Sequence, residues 1–308
     1  MKKNEFYFKS CDGVTRIHAA EWIPDGKAVA VLQICHGMTE HIMRYGEFAE
    51  YLADRGFYVT GHDHLGHGKS VQDEDCYGYF HETKGNRCVI GDIHKLRWRT
   101  ERRYPDVPYF MLGHSMGSFL LRQYLMGHSE GLSGAVIMGT GYHGKAELTL
   151  GRALCRVVAA FRGWRHRSRI INAIGFGGFN RRFSPCETEK DWLTTDTEKR
   201  DAYIRDPYCN FTFTVNGYYH MFGGMRYLEK RENIEKIRKD LPLLFTSGQD
   251  DPVGGFGKGV KRVYDQYVDA GIENAEMRLY EGDRHEILNE RDRNRVYEDC
   301  YMWMRENI

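Results

Sequence analysis

Three observations predict an α/β fold built on a mostly parallel central sheet with helices on both faces. Short β-like runs alternate with helix-like runs along both ends of the chain. Several of the β-like runs are continuously apolar, the composition of strands buried on both faces. The alternation stops once, from about residue 141 to about residue 239, and then resumes. An insertion of that kind, with strands on either side, reads as a lid over the ends of the strands.

Residues 6–9 and 14–22 flank Asp12-Gly13, a hairpin signal. Residues 28–34 form an apolar run suited to a central strand. Residues 45–55 follow at helical spacing, with Phe48, Tyr51 and Leu52 on one side and Gly56 as the stop. Next come a strand at 57–60, a helix at 89–104, a strand at 109–112, a helix at 119–126 and a strand at 135–138. After the insertion the spacing predicts a strand at 241–246, a helix over 259–270, a strand at 275–280 and a final helix from Arg291. The chain therefore divides into a core, first part, at 1–140, a helical lid at 141–239, and a core, second part, at 240–308.

Composition narrows the function. Lys plus Arg number 44 against 43 Asp plus Glu, a net charge of +1 that supplies no field for nucleic acid. Hydrophobic residues at 41% support a real core and argue against disorder. The longest apolar stretch, 28–35, is interrupted by Gln33 and is too short to span a membrane. No apolar run follows Met1-Lys2-Lys3, and the eight cysteines include no C-x-x-C pair. Reduced, mostly buried thiols and a cytoplasmic location are expected.

The central chemical motif is Gly113-His114-Ser115-Met116-Gly117, placed between a strand and a helix. A serine at such a turn is pushed outward on a strained backbone, and the flanking glycines relieve clashes. A serine hydroxyl needs a base, and the base needs an orienting carboxylate. His285, in the loop after 275–280, is the only histidine beyond His220. The acid falls in the loop after 241–246, where Asp250 and Asp251 both qualify. The oxyanion needs two donors. Met116 supplies the N–H after the serine; Met38, in Cys35-His36-Gly37-Met38-Thr39-Glu40-His41, supplies the other through its backbone alone.

Taken together, His36–His41, His62-Asp63-His64-Leu65-Gly66-His67-Gly68-Lys69-Ser70 and Gly113–Gly117 resemble the monoacylglycerol lipase and lysophospholipase branch of the α/β-hydrolase superfamily. The similarity continues through Asp196-Thr197-Glu198, Asp206-Pro207-Tyr208-Cys209, Gly248–Asp251 and Tyr280–His285. The family's Gly-x-x-Asp motif selects Asp251 as the triad acid, and its oxyanion positions match Met38 and Met116. The resemblance implies hydrolysis of a carboxylic ester, often of a single-chain lipid, with no metal or organic cofactor. Thr39 replaces the smaller residue common in the family's loop, which bears on acyl-pocket shape.

The segment 151–182 carries eight arginines, at 152, 156, 162, 165, 167, 169, 181 and 182, and no acidic residue. Leu150, Leu154, Val157, Val158 and Phe161 run beside them at helical spacing. Two readings stand: a surface for peripheral contact with anionic lipid, or a solvated lid face. The histidines of 62–67 invite a metal, but a zinc hydrolase would leave the serine turn unexplained; these residues are expected to be structural. Competing functions are a short-acyl or aryl esterase, a proline-iminopeptidase-type aminopeptidase, and a non-catalytic ligand-binding module. The complete set Ser115, Asp251 and His285 argues against the last. Lid aromatics Trp164, Phe176, Phe179, Trp192, Phe211 and Phe213 suit either an acyl tunnel or lid core.

Overall fold

In the computed structural model, which describes residues 1–308 apart from the side chain of Phe176, the hairpin around Asp12-Gly13 pairs β1 (Lys2–Lys9) antiparallel with β2 (Arg16–Ile23). The remaining elements follow in the order β3 (Ala30–Cys35), α1 (Gly46–Ala53), β4 (Phe57–His62), α2 (Gly85–Arg103), β5 (Tyr109–His114), α3 (Met116–His128) and β6 (Gly134–Met138). Then come α4 (Lys145–Arg162), α5 (Arg169–Phe176), α6 (Thr197–Arg205), α7 (Val215–Leu228) and α8 (Arg231–Ile234), with no strand among the described residues. The chain closes with β7 (Leu243–Gly248), α9 (Lys258–Asp269), β8 (Ala275–Tyr280) and α10 (Arg293–Glu306).

All eight strands form one sheet in the order β1-β2-β4-β3-β5-β6-β7-β8. Strand β2 runs antiparallel to β4, and every pairing from β4 to β8 is parallel. The continuously apolar runs are the strands buried on both faces: every residue of β3, β4, β5, β6 and β7 is buried. Alternate side chains feed two cores. Val31, Met111, Ile137 and Phe245 pack with Val89 and Ile93 of α2, Leu121 and Leu125 of α3, and Val260 and Val263 of α9. Leu32, Leu112, Val136 and Leu244 pack on the other face with Phe48 and Leu52 of α1 and with Val296 and Trp303 of α10.

Helix boundaries moved where a turn carries no apolar signal. Helix α2 begins a turn earlier than periodicity indicates, because Gly85-Asn86-Arg87 contributes little apolar face. The helix expected over 45–55 runs from Gly46 to Ala53, and a separate 3₁₀ turn, Ile42–Tyr45, precedes it. Helix α3 starts at Met116, three residues before Phe119, because Gly117 and Ser118 interrupt the apolar pattern. Because the central strands are parallel, their C-terminal ends share one edge, where ligands bind in open α/β sheets. Among the described residues no helix is long and apolar enough to cross a membrane.

Candidate active site

Ser115 stands between β5 and α3 with φ 53° and ψ −121°, a left-handed conformation that costs a non-glycine residue about 1–3 kcal/mol. Its neighbours explain how the turn is held. A Cβ on Gly117 would lie 2.0 Å from the Cys35 carbonyl oxygen, and one on Gly113 would lie 2.4 Å from that of Gly117. Only glycines let helix α3 approach β3 and its own strand this closely. The Ser115 N–H donates to the Met138 carbonyl at 3.0 Å, which pins the turn to β6.

The two late loops bring the acid to the base. Asp251, fully buried, accepts from His285 Nδ1 at 2.9 Å through Oδ2. The same oxygen accepts from Ser247 Oγ at 2.9 Å, and Oδ1 accepts from the Val253 N–H at 2.8 Å. The carboxylate is thereby fixed before it meets the imidazole. Asp250 is half-buried, and its N–H donates to the Asp283 carbonyl at 2.9 Å. It is Asp251, then, that reaches His285.

Ser115 and His285 line one cavity, together with Gly37, Met38 and Thr39 from the loop after β3. Met116 is the first residue of α3, so its N–H has no partner further back in the helix and faces the turn. The segment between β6 and β7 closes the other side with Asn172, Lys190, Trp192, Leu193, Tyr203 and Phe211. A strained serine beside a carboxylate-held imidazole, at a helix N-terminus, can accept an acyl group and stabilise an oxyanion.

A family model described as serine aminopeptidase, S33, matches residues 26–292. The chain belongs to this α/β-hydrolase family. It is 30% identical to a thermostable carboxyl esterase from Bacillus coagulans solved with glycerol, covering 99% of both chains with a TM-score of 0.92. A lipase solved in an open form is 26% identical with a TM-score of 0.90, again over 99% of both chains. Monoacylglycerol lipase of Mycolicibacterium smegmatis is 25% identical over 98% of this chain and 97% of its own. Mouse monoglyceride lipase is 36% identical over 96 residues; that match spans only 31% of this chain and 30% of the mouse protein.

Within this S33 member, several site residues carry no signal of their own in the sequence. Glu40 Oε1 accepts from the Gly37 N–H at 2.5 Å and from Tyr45 Oη at 2.8 Å. Its other oxygen meets Arg44 at 2.5 Å, and Arg44 forks onto Glu286 at 2.6 and 2.8 Å. His114 lies between them. Its Nδ1 is 3.0 Å from Tyr45 Oη, whose own proton goes to Glu40, and its Nε2 is 3.1 Å from the His285 carbonyl. Burial alone would lower the His114 pKa, yet the Glu40 carboxylate raises it, in keeping with both ring nitrogens facing acceptors. Burial also works against charge on Glu40, but Arg44 and His114 hold its carboxyl well below the usual range. The network thus joins the Met38 loop to the His285 loop and balances its own charge. Only the i,i+4 spacing of Glu40 and Arg44 hinted at it.

The helical segment also grips the His285 loop. The His285 N–H donates to the Trp192 carbonyl at 3.4 Å, and the Glu286 N–H to that of Leu193 at 2.7 Å. Buried Glu290 accepts from the Thr195 N–H at 2.9 Å and from the Arg284 N–H at 2.9 Å. The rings of Trp192 and His285 lie 5.1 Å apart. Of the remaining aromatics, Phe213 is buried against Phe80 and His67, Phe179 stacks edge-on to Trp192, and Trp164 meets Tyr219. Phe176 lies outside the described side chains.

The histidine-rich segment is packed as a structural loop. Asp63 accepts from the N–H groups of Ile42 and Lys69 and pairs with His18 Nδ1 at 2.8 Å. Burial pushes the pKa of His62 and of His67 down to about 3, so their rings stay neutral. A Cβ on Gly66 would meet the Tyr79 carbonyl at 2.6 Å, and one on Gly68 would meet Asp63 Oδ2 at 2.2 Å, which sets the loop's tight path.

Proposed function

We propose that this chain is a serine carboxylic-ester hydrolase acting on monoesters of the monoacylglycerol type through an acyl-enzyme on Ser115. The observation that carries the reading is the Asp251–His285 hydrogen bond beside a left-handed Ser115 in one cavity. His285 Nε2 takes the Ser115 proton as Oγ attacks the ester carbonyl, and Asp251 holds the ring in the tautomer that leaves Nε2 free. The N–H groups of Met38 and Met116 receive the oxyanion. Collapse of the intermediate passes the proton to the leaving alcohol, and water then repeats the sequence to release the acid. No cofactor enters any of these steps.

The cavity's chemistry supports an ester over an aminoacyl substrate. A peptidase needs a carboxylate available to the substrate ammonium, and the lining carboxylates Glu40 and Glu286 are both engaged by Arg44. Lys190 adds a cation to the same lining. Residues 141–239 act as the lid between core segments 1–140 and 240–308, and the lid supplies the apolar wall of Trp192, Leu193 and Phe211. Lysophospholipid belongs to the same substrate class, with peripheral contact to anionic lipid through the lid and a cytoplasmic location.

The test is a substrate panel: p-nitrophenyl esters of rising acyl length, a monoacylglycerol, a lysophospholipid and an aminoacyl amide. Hydrolysis of the monoacylglycerol above the short aryl esters supports the reading. Preference for the aminoacyl amide would replace it with an aminopeptidase.

A further inference from the structure

Outside the hydrolytic residues, one cluster brings a nitrogen, an oxygen and a sulfur ligand together. His41 Nε2 and Asp206 Oδ2 are 2.8 Å apart, and with the Cys209 thiol all three ligand atoms lie within 4.8 Å of one another. His41 ends the loop that carries Met38, whereas Asp206 and Cys209 follow α6. We propose that His41, Asp206 and Cys209 form a site for a borderline-soft divalent cation, zinc in the first instance, that is separate from the hydrolytic machinery.

The donor set suits this class of ion. Imidazole, carboxylate and thiolate are zinc's ordinary ligands, and three of them leave the fourth tetrahedral position for water. Calcium and magnesium want all-oxygen surroundings, which this cluster lacks. The site is reachable but not loose. The side chains of His41 and Asp206 are 12% and 26% exposed, and Cys209 is 6% exposed. Asp206 Oδ1 accepts from the Tyr208 N–H at 2.8 Å, which orients Oδ2 toward His41. The Cys209 N–H donates to the Asp206 carbonyl at 3.1 Å, and the Asn210 N–H reaches across to the Thr39 carbonyl at 3.3 Å. Ligands held from behind in this way lose less freedom on binding.

Binding requires small movements. With metal–nitrogen and metal–oxygen bonds of about 2.0 Å, the 2.8 Å His41–Asp206 contact opens by about half an ångström, and the thiol swings inward. The cation takes the position between His41 Nε2 and Asp206 Oδ2, the neutral imidazole carries its single proton on Nδ1 in this tautomer, and the Cys209 thiol releases its proton to solvent. The bound ion would link the Met38 loop to the chain after α6.

Cadmium reports such a site directly, because a cadmium–thiolate bond absorbs in the ultraviolet. The exposed thiols Cys11 and Cys186 are first replaced by serine, leaving six buried ones. Titration of this full-length protein with Cd²⁺ alone should give a saturable absorption at one equivalent, displaced by Zn²⁺. Cys209→Ser should abolish it, and Asp206→Asn, on a part-exposed side chain, should weaken it at least tenfold while leaving the melting curve in place. No saturable absorption in the parent, or the same absorption in Cys209→Ser, would overturn the proposal. The readout is binding, so it stands or falls independently of ester hydrolysis.

Discussion

Asp250 and Asp251 are adjacent and chemically alike, yet only Asp251 is buried against His285. Asp251→Asn should lower kcat by about 10⁴, because the amide favours the wrong imidazole tautomer. Asp250→Asn should change it by less than about fivefold on the same ester. The reverse ranking in steady-state assays would move the acid to Asp250. Glu40 acts on the chemistry through Gly37 and Arg44, and is a positioning residue. Glu40→Gln leaves Arg44 with one carboxylate and loosens the Met38 loop; it should lower kcat about 10–100-fold with KM little changed, within the cost of a lost oxyanion donor. A KM effect alone would place Glu40 in substrate binding. Asp283 gives a pH test of stability. Burial, then Glu290 and Asp292, raise its pKa to about 7, and its Oδ2 has no hydrogen-bond partner. Between pH 4 and 7 the folded state binds more protons than the unfolded one, so this residue's contribution falls as pH rises. Asp283→Asn should therefore gain stability over the parent, on the order of 1–2 kcal/mol, between pH 5 and pH 8. A pH-independent difference in denaturant midpoint would contradict the assignment.

At the scale of elements, the basic stretch 151–182 contains arginines of two kinds. Arg167 donates to the carbonyls of Thr212, Glu74, Asp75 and Tyr77, and Arg165 reaches Cys76 Sγ and the Tyr79 ring. Both fasten the segment between α4 and α5 to the loop before α2. Arg156, Arg162 and Arg169 are exposed beside an apolar stripe in which Leu150, Val157 and Phe161 of α4 and Ile170 and Ile174 of α5 are all more than half exposed. The spacing in α4 was legible in sequence; which side faced solvent was not, because the buried side rests on α7, an element with no distinctive pattern. An exposed apolar stripe with flanking cations suits an anionic interface, each nearby arginine adding about 1 kcal/mol. The protein should float with phosphatidylserine vesicles at low salt, less so at high salt. Phe161→Ser with Ile174→Ser should reduce flotation while sparing a soluble ester. Failure of the parent to float with charged or neutral vesicles would leave a solvated lid.

For the molecule as a whole, local patterns carried the sheet and pointed to residues that the fold brings together, Asp251 and His285 among them. Apolar runs mark strands that are buried on both faces, and the serine turn and the Gly-x-x-Asp loop each follow such a run, whereas the last histidine follows β8, a part-exposed edge strand that carries Glu276 and Arg278. What local pattern could not supply is pairing across the chain. Arg44 and Glu286 are 242 residues apart, and Trp192 meets His285 from the segment between β6 and β7. His41, Asp206 and Cys209 likewise converge from the loop after β3 and the chain after α6. These contacts arise from topology, which places strand ends on one edge and packs the segment between β6 and β7 against it. The central claim is that Ser115 is the nucleophile of this edge. Parent protein and Ser115→Ala are treated with a fluorophosphonate, the modified peptide is located by mass spectrometry, and monoacylglycerol hydrolysis is measured in parallel. The account predicts one label per chain on Ser115, none on the variant, and a fall in kcat of about 10⁴–10⁶. Label on another residue, or a variant keeping more than about a tenth of the parent rate, would contradict it.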